Sequence, residues 1–401
     1  MLTSLAFIFL AGLLMAAVCK RLRLPGIIGM LITGIVLGPY VLDLLDPSIL
    51  SVSSDLRQMA LIIILLKAGL SLDLSDLKRV GRPAIMMSCV PAGCEILAFF
   101  LLAPSLLGVT RIEAAVMGAV LAAVSPAVVV PRMVRLMDEK YGTKKSIPQL
   151  ILAGASCDDI FVIVLFSTFS GMAQGGHANV MGFVNIPVSI VLGIALGAAA
   201  GFVLSVFFET SYAHKHCVRN SVKVIIVLGV SFLLMAVETW LKGMVSVSGL
   251  LAVVSMACVI RIRCVPQVTA RLSEKFGKLW LAAEVILFVL VGAAVDIRYT
   301  LEAGITAVAM IFAALIFRGI GVSLCLIKTS LSFKERLFCI IAYLPKATVQ
   351  AAIGSVPLAM GLPCGKIVLS VAVLAILITA PLGAIGIDST YKKLLIHEEN
   401  G

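Results

Sequence analysis

The chain has 401 residues, of which 61% are hydrophobic and 13% charged, about half the charged share of an ordinary soluble domain. That excludes a soluble globular protein and points to a polytopic membrane protein. The formal net charge of +11 does not imply nucleic acid, because the basic residues fall between apolar spans rather than clustering with aromatics on one surface.

Apolar runs of spanning length predict an all-α membrane protein with about 13 transmembrane helices. They lie near 2–19, 24–41, 58–72, 83–103, 113–134, 147–170, 186–208, 221–241, 244–260, 279–297, 300–327, 335–360 and 365–387. The first run has no basic residue before it and Lys20, Arg21 and Arg23 after it, the reverse of a secretory signal peptide. It is expected to stay attached, with the N-terminus outside. Loops after odd spans, with the C-terminal tail, hold 24 Lys and Arg; loops after even spans hold five, namely Arg57, Arg111, Lys242, Arg298 and Lys366. This split predicts a cytoplasmic C-terminus.

Between the spans, 261–278 reads as a basic linker or surface helix and 173–185 as a short Gly-containing outer loop. Gly193, Gly197 and Gly201, at spacing four, read either as a close helix contact or as a dimer face. Lys67 lies near a cytoplasmic span end and can snorkel, and Glu284 either lines an entrance or reaches the interface. His214 and His216 fall in a solvated cytoplasmic loop. Ten scattered cysteines without a CxxC pair give neither a disulfide framework nor a metal site. No GxxxxGK[ST], HExxH or nucleophile elbow occurs, so nothing supports an enzyme or a bound cofactor.

The chemistry concentrates between Ala123 and Phe166. Asp158 and Asp159 stand in an apolar run from Ile147 to Phe169, where a charged side chain costs several kcal/mol unless it serves a solvated or ion-filled site. Just upstream, Ser125-Pro126 and Pro131 interrupt span five, and such breaks are tolerated where freed backbone faces protein or a cavity. The second half repeats the plan. Glu95 in span four precedes the Ser125-Pro126 break, as Arg318 in span eleven precedes Lys346 beside Pro345 in span twelve. Spans four to six and eleven to thirteen start on opposite sides of the membrane, as inverted repeats with two broken helices require.

Neighbouring aspartates on a helix point about 100° apart, so one can meet an ion while the other meets a partner. A buried carboxylate binds either a proton or a small cation. Exposed alternately to the two sides, that competition gives antiport. The Ser125 hydroxyl is a candidate ion ligand, and Lys346 either neutralises half-helix C-termini or pairs with an acid. Arg318 pairs either with Glu95 or with Asp158; the sequence leaves both open.

The motifs AVSPAVVVP, IPQLILAGASCDDI, SFKERLF and LPKATVQA resemble the sodium/proton antiporters of the cation:proton antiporter superfamily. Within it the chain is most similar to the two-aspartate branch of mammalian-type exchangers and their bacterial relatives. The resemblance implies a homodimer in a plasma (inner) membrane whose six-helix core moves as an elevator and carries Na⁺ or Li⁺ against H⁺. It implies dimerisation helices over 1–82, core helices over 83–170 and 300–387, linking helices over 186–297 and a short tail over 388–401. Residue by residue, it makes Asp159 the principal ion and proton carrier, Asp158 its neighbour and Ser125 a residue beside the ion. It puts Pro126 at the helix crossover and makes Lys346 the basic residue of the second break. Arg318 stands where the better-known bacterial relatives carry a lysine; mammalian-type relatives have arginine there together with a glutamate at the position of Glu95, which favours the Glu95 pair. A sodium-coupled organic-anion symporter and a K⁺/H⁺ antiporter are the alternative readings.

Overall fold

The computed structural model describes residues 1–22, 24–71, 81–174, 180–213, 219–241, 247–296 and 304–397. Among them the regular elements are helices, apart from one antiparallel bridge between Tyr141 and His397. In chain order they are α1 (Leu2–Arg21), α2 (Gly26–Leu37), α3 (Pro47–Ser51), α4 (Ser53–Ser71), α5 (Arg82–Met87) and α6 (Val90–Leu107). Next come α7 (Arg111–Leu121), α8 (Pro126–Asp138), α9 (Ile147–Gln174), α10 (Val180–Ala213), α11 (Asn220–Trp240) and α12 (Gly249–Arg263). The last are α13 (Pro266–Ala293), α14 (Gly304–Cys325), α15 (Phe333–Ala342), α16 (Thr348–Gly354), α17 (Val356–Ala359) and α18 (Gly365–Leu394). Nine helical stretches among the described residues are long and apolar enough to cross a membrane. Among the described residues, the apolar runs fall on helices or on broken sets of helices. His214 and His216 lie outside the described residues.

Several boundaries differ from the sequence reading: α10 begins at Val180, within the stretch expected as outer loop 173–185, and α18 runs to Leu394, within the stretch expected as tail 388–401. The stretch 261–278 is not a separate linker: α13 runs unbroken from Pro266, because Thr269, Leu272, Phe276, Trp280 and Ala283 recur at helical spacing and are all buried. Span four is broken at Ser88 and Cys89. Pro91, at the start of α6, has no N–H to offer the turn before it. Pro131, expected to share in the interruption of span five, sits inside α8 instead; the break itself comes at residues 122–125, where Pro126 provides the helical start.

The chain divides into two compact units, one of Met1–Arg57, Asp73–Val162 and Val285–Gly401, the other of Gln58–Leu72 and Ile163–Glu284. In the second unit, α10 lies close against α12 along its glycines. A methyl group on Gly193, Gly197 or Gly201 would strike the backbone of Ser248, Ala252 or Met256 respectively, and the Ser255 hydroxyl donates to the Ile194 carbonyl at 2.9 Å. The glycine row is thus a helix contact within the chain. Glu284 and Lys67 lie within electrostatic reach of each other in the same unit.

The first unit holds both broken spans. The half-helices α7 and α15 each begin with a capping box, Thr110 with Glu113 and Ser332 with Glu335. Each then ends in unwound chain, at 122–125 and 343–347. α6 packs on α7 and on α14, while α16 packs on α7 and α18; these contacts bring the two unwound segments together.

Candidate functional site

The two breaks cross and hold one another through backbone. The Ser125 N–H donates to the Pro345 carbonyl at 2.8 Å. In return, side chains around the second break cap the last carbonyls of α7. Lys346 Nζ donates to Leu121 O at 2.5 Å, Gln350 Nε2 to Ala123 O at 2.6 Å and to Leu121 O at 3.3 Å, and Arg318 Nη1 to Ala122 O. A helix C-terminus carries about half a negative charge, so two cations at this end are well placed. On the other side, Gln350 Oε1 accepts from the Ala347 N–H at 2.8 Å, and Thr379 Oγ1 accepts from the Lys346 N–H at 3.0 Å.

Onto this crossing come the buried ionisable groups. Arg318 Nη1 meets Glu95 Oε2 at 2.7 Å, its Nη2 meets Asp158 Oδ2 at 3.2 Å, and its Nε donates to Tyr343 O at 2.5 Å. The residues left Glu95 and Asp158 as alternative partners of Arg318, with the family resemblance favouring Glu95; the guanidinium bridges both. Glu95 is shared as well, since its Oε1 lies 2.6 Å from Lys346 Nζ. Lys346 therefore both neutralises a half-helix C-terminus and pairs with an acid. Asp158 Oδ2 further accepts the Val124 N–H at 2.8 Å, a donor that exists because α7 has stopped.

Asp159 stands apart from these pairs. It is 7% exposed and its Oδ1 has no hydrogen-bond partner. Asp158 Oδ1, Ser125 Oγ and Thr348 Oγ1 are equally buried and equally unpartnered, although a buried polar atom without a partner costs about 1–3 kcal/mol. Ser125, the residue before α8, makes no side-chain cap to its own helix, and Pro126 is the first residue of that helix. Three buried carboxylates, Glu95, Asp158 and Asp159, face two buried bases, Arg318 and Lys346. With all five ionised, the cluster carries one negative charge more than its bases balance.

Gln350, Thr379 and the Val124 N–H were missed in the sequence. Gln350 had a signal, a long amide beside a break in an otherwise apolar helix; Thr379, mid-helix in α18, had none.

Comparison with known proteins gives the relatives of the chain. Residues 5–393 match the family described as sodium/hydrogen exchanger, transmembrane. The chain is similar to human sodium/hydrogen exchanger 9B2, with 34% identity over 385 residues that cover 93% of this chain and 70% of that protein. It is also similar to human sodium/hydrogen exchanger 9B1, with 31% identity over 411 residues covering 96% and 76%. Among solved structures, the sodium proton antiporter MjNhaP1 from Methanocaldococcus jannaschii aligns over 98% of this chain and 99% of its own, with a TM-score of 0.81 at 22% identity.

Proposed function

Since the chain belongs to the sodium/hydrogen exchanger family, we propose that it exchanges Na⁺ or Li⁺ for H⁺ across the membrane, with Asp159 as the group for which the two compete. The observation that carries this reading is the odd carboxylate. Glu95 and Asp158 are held by Arg318 and Lys346, which leaves Asp159 to be neutralised by a proton or by a cation. Either occupant cancels the same single charge, so exchange runs one for one. Arg318 keeps its proton throughout, unlike a lysine.

The cation's ligands would be hard oxygens, as small alkali ions require. Asp159 Oδ1, Asp158 Oδ1 and Ser125 Oγ are buried without hydrogen-bond partners and are of the right chemistry. Pro126 fixes the turn that presents Ser125. Alternating access follows if the helices of 83–170 and 300–387 travel as a core against those of 1–82 and 186–297, an elevator that carries the crossed breaks and their ion together. We assign the dimer contact to those scaffold helices. We assign the chain to a plasma (inner) membrane; the positive-inside split supports an N-terminus outside and a C-terminus in the cytoplasm.

The test is reconstitution into vesicles with an imposed pH gradient and a pH-sensitive dye. Na⁺ and Li⁺ are expected to dissipate the gradient, K⁺ hardly at all, and Asp159→Asn to abolish the response. Clamping the voltage with K⁺ and valinomycin should leave the rate unchanged for one-for-one exchange. Full exchange in the Asn variant would defeat the assignment.

A further inference from the structure

Tyr343 is the largest buried group at the site to which the exchange reaction above gives no part. It is fully buried, at the end of α15 where the second break begins, and its hydroxyl has no hydrogen-bond partner. A phenylalanine would fill the same volume without an unpaired hydroxyl, which makes the tyrosine a polar group held in an apolar cluster with Met87, Phe338 and Cys339. The space for that hydroxyl is specific. A methyl group at Gly154 would collide with Tyr343 Oη and come within 3.0 Å of the Met87 Cβ, so the absent side chain of Gly154 forms the notch in which the hydroxyl sits.

Gly154 lies four residues before Asp158 on α9, one turn away on the same face. A helical side chain leans back over the turn that precedes it, so the Asp158 carboxylate covers the turn that carries the notch. Its Oδ1 is the second unpartnered oxygen of this corner. The Arg318 guanidinium, which holds Asp158 Oδ2, lies 5.5 Å from the Tyr343 ring centre and also bonds the Tyr343 carbonyl. Among the described residues, the charged and titratable groups around the pair are Arg318, Asp159, Lys346, Cys89, Cys325 and Cys339. None of these except Arg318 has a donor on the aspartate in the structure.

We propose that Tyr343 is a positioning residue for the aspartate pair: during exchange its hydroxyl, seated in the Gly154 notch, donates to Asp158 Oδ1, the carboxylate oxygen that Arg318 and the Val124 N–H leave free. This second donor keeps Asp158 oriented while its neighbour exchanges one ion for another. This inference rests on the exchange reading above and adds a residue to it.

The experiment measures Na⁺ and Li⁺ exchange at one fixed pH in vesicles containing the full chain, for the wild type, Tyr343→Phe, Gly154→Ala and the double variant. Each is also followed by thermal unfolding in detergent. Tyr343→Phe is expected to fold as well as the wild type and to raise the KM for both cations about tenfold, with the maximal rate per folded molecule nearly kept. A purely structural role would lower the folded fraction or the maximal rate and leave KM alone. Gly154→Ala is expected to destabilise the chain and raise KM, and adding Tyr343→Phe should recover most of the lost stability because the colliding hydroxyl is gone. An unchanged KM in Tyr343→Phe, or a double variant no more stable than Gly154→Ala, overturns the proposal. Absence of Na⁺-driven proton movement in the wild type would instead defeat the exchange reading, and the stability recovery would still test the notch.

Discussion

Where α7 gives way to the first break, the successive carbonyls of Leu121, Ala122 and Ala123 are turned toward donors from the second repeat, whereas at the second, residues 343–347, the chain supplies a cation of its own, Lys346. The same contrast runs through the helices beside them: Glu95 on α6 is acidic where Arg318 on α14 is basic, and the two meet at 2.7 Å. Two halves of one plan thus carry opposite charge, and the molecule is held at its centre by that opposition. A buried ion pair adds little net stability when intact, yet removing one member is costly. The first repeat brings all three carboxylates, so it is also the half left with an acid to spare.

The contrast predicts an order of effects. Arg318→Met should be the most damaging change, because it strips Glu95, Asp158 and the Ala122 and Tyr343 carbonyls of one partner at once. The expected cost is about 3–5 kcal/mol, read as a collapse of folded yield. Lys346→Met should cost less, about 2–3 kcal/mol, since Glu95 keeps Arg318 and the Leu121 carbonyl keeps Gln350. Equal losses in the two variants would mean that the breaks are not as unequal as their bonds. Exchanging the charges, Glu95→Arg with Arg318→Glu, sharpens the point. The double variant should transport better than either single one, yet remain well below the wild type, because a glutamate at 318 cannot hold Asp158 or the two carbonyls. No gain over the single variants would argue against the pairing as the main function of Glu95.

Much of this centre was legible in the sequence because it violates the rules of its surroundings. Two acids, a Ser-Pro step and a Pro-Lys step in apolar runs are conspicuous, since each is expensive in a membrane without a purpose. The double pairing of Arg318 was not legible in the spacing, because whether it faces Glu95, Asp158 or both depends on the rotation of α14, which no spacing along the chain encodes. Gly154 was equally silent: among many helix glycines, only the position of the Tyr343 ring distinguishes it. The extent of α13 was obscured because its first half is polar on one face, and a test for apolar runs loses such a helix where a test for helical period would keep it.

The smallest effect belongs to the helix starts farthest from the crossing. Thr110-x-x-Glu113 and Ser332-x-x-Glu335 are the same device at the heads of α7 and α15. In the first, Glu113 serves only its own turn, accepting from the Thr110 N–H at 2.8 Å on an exposed surface. In the second, Glu335 accepts from the Ser332 N–H at 2.6 Å and also holds Lys145 at 2.8 Å, and its side chain is 2% exposed. Lys145 in turn donates to the Ser330 carbonyl, tying the start of α9 to the start of α15. Losing a cap costs about 0.5–2 kcal/mol. Glu113→Ala should therefore fall near the lower end and Glu335→Ala at or above the upper, measured as loss of thermal stability in detergent. Lys145→Ala should reproduce part of the second loss and none of the first. If both alanine variants are equally mild, Lys145 contributes nothing to the second cap, and the heads of the two repeats are alike even though their breaks are not.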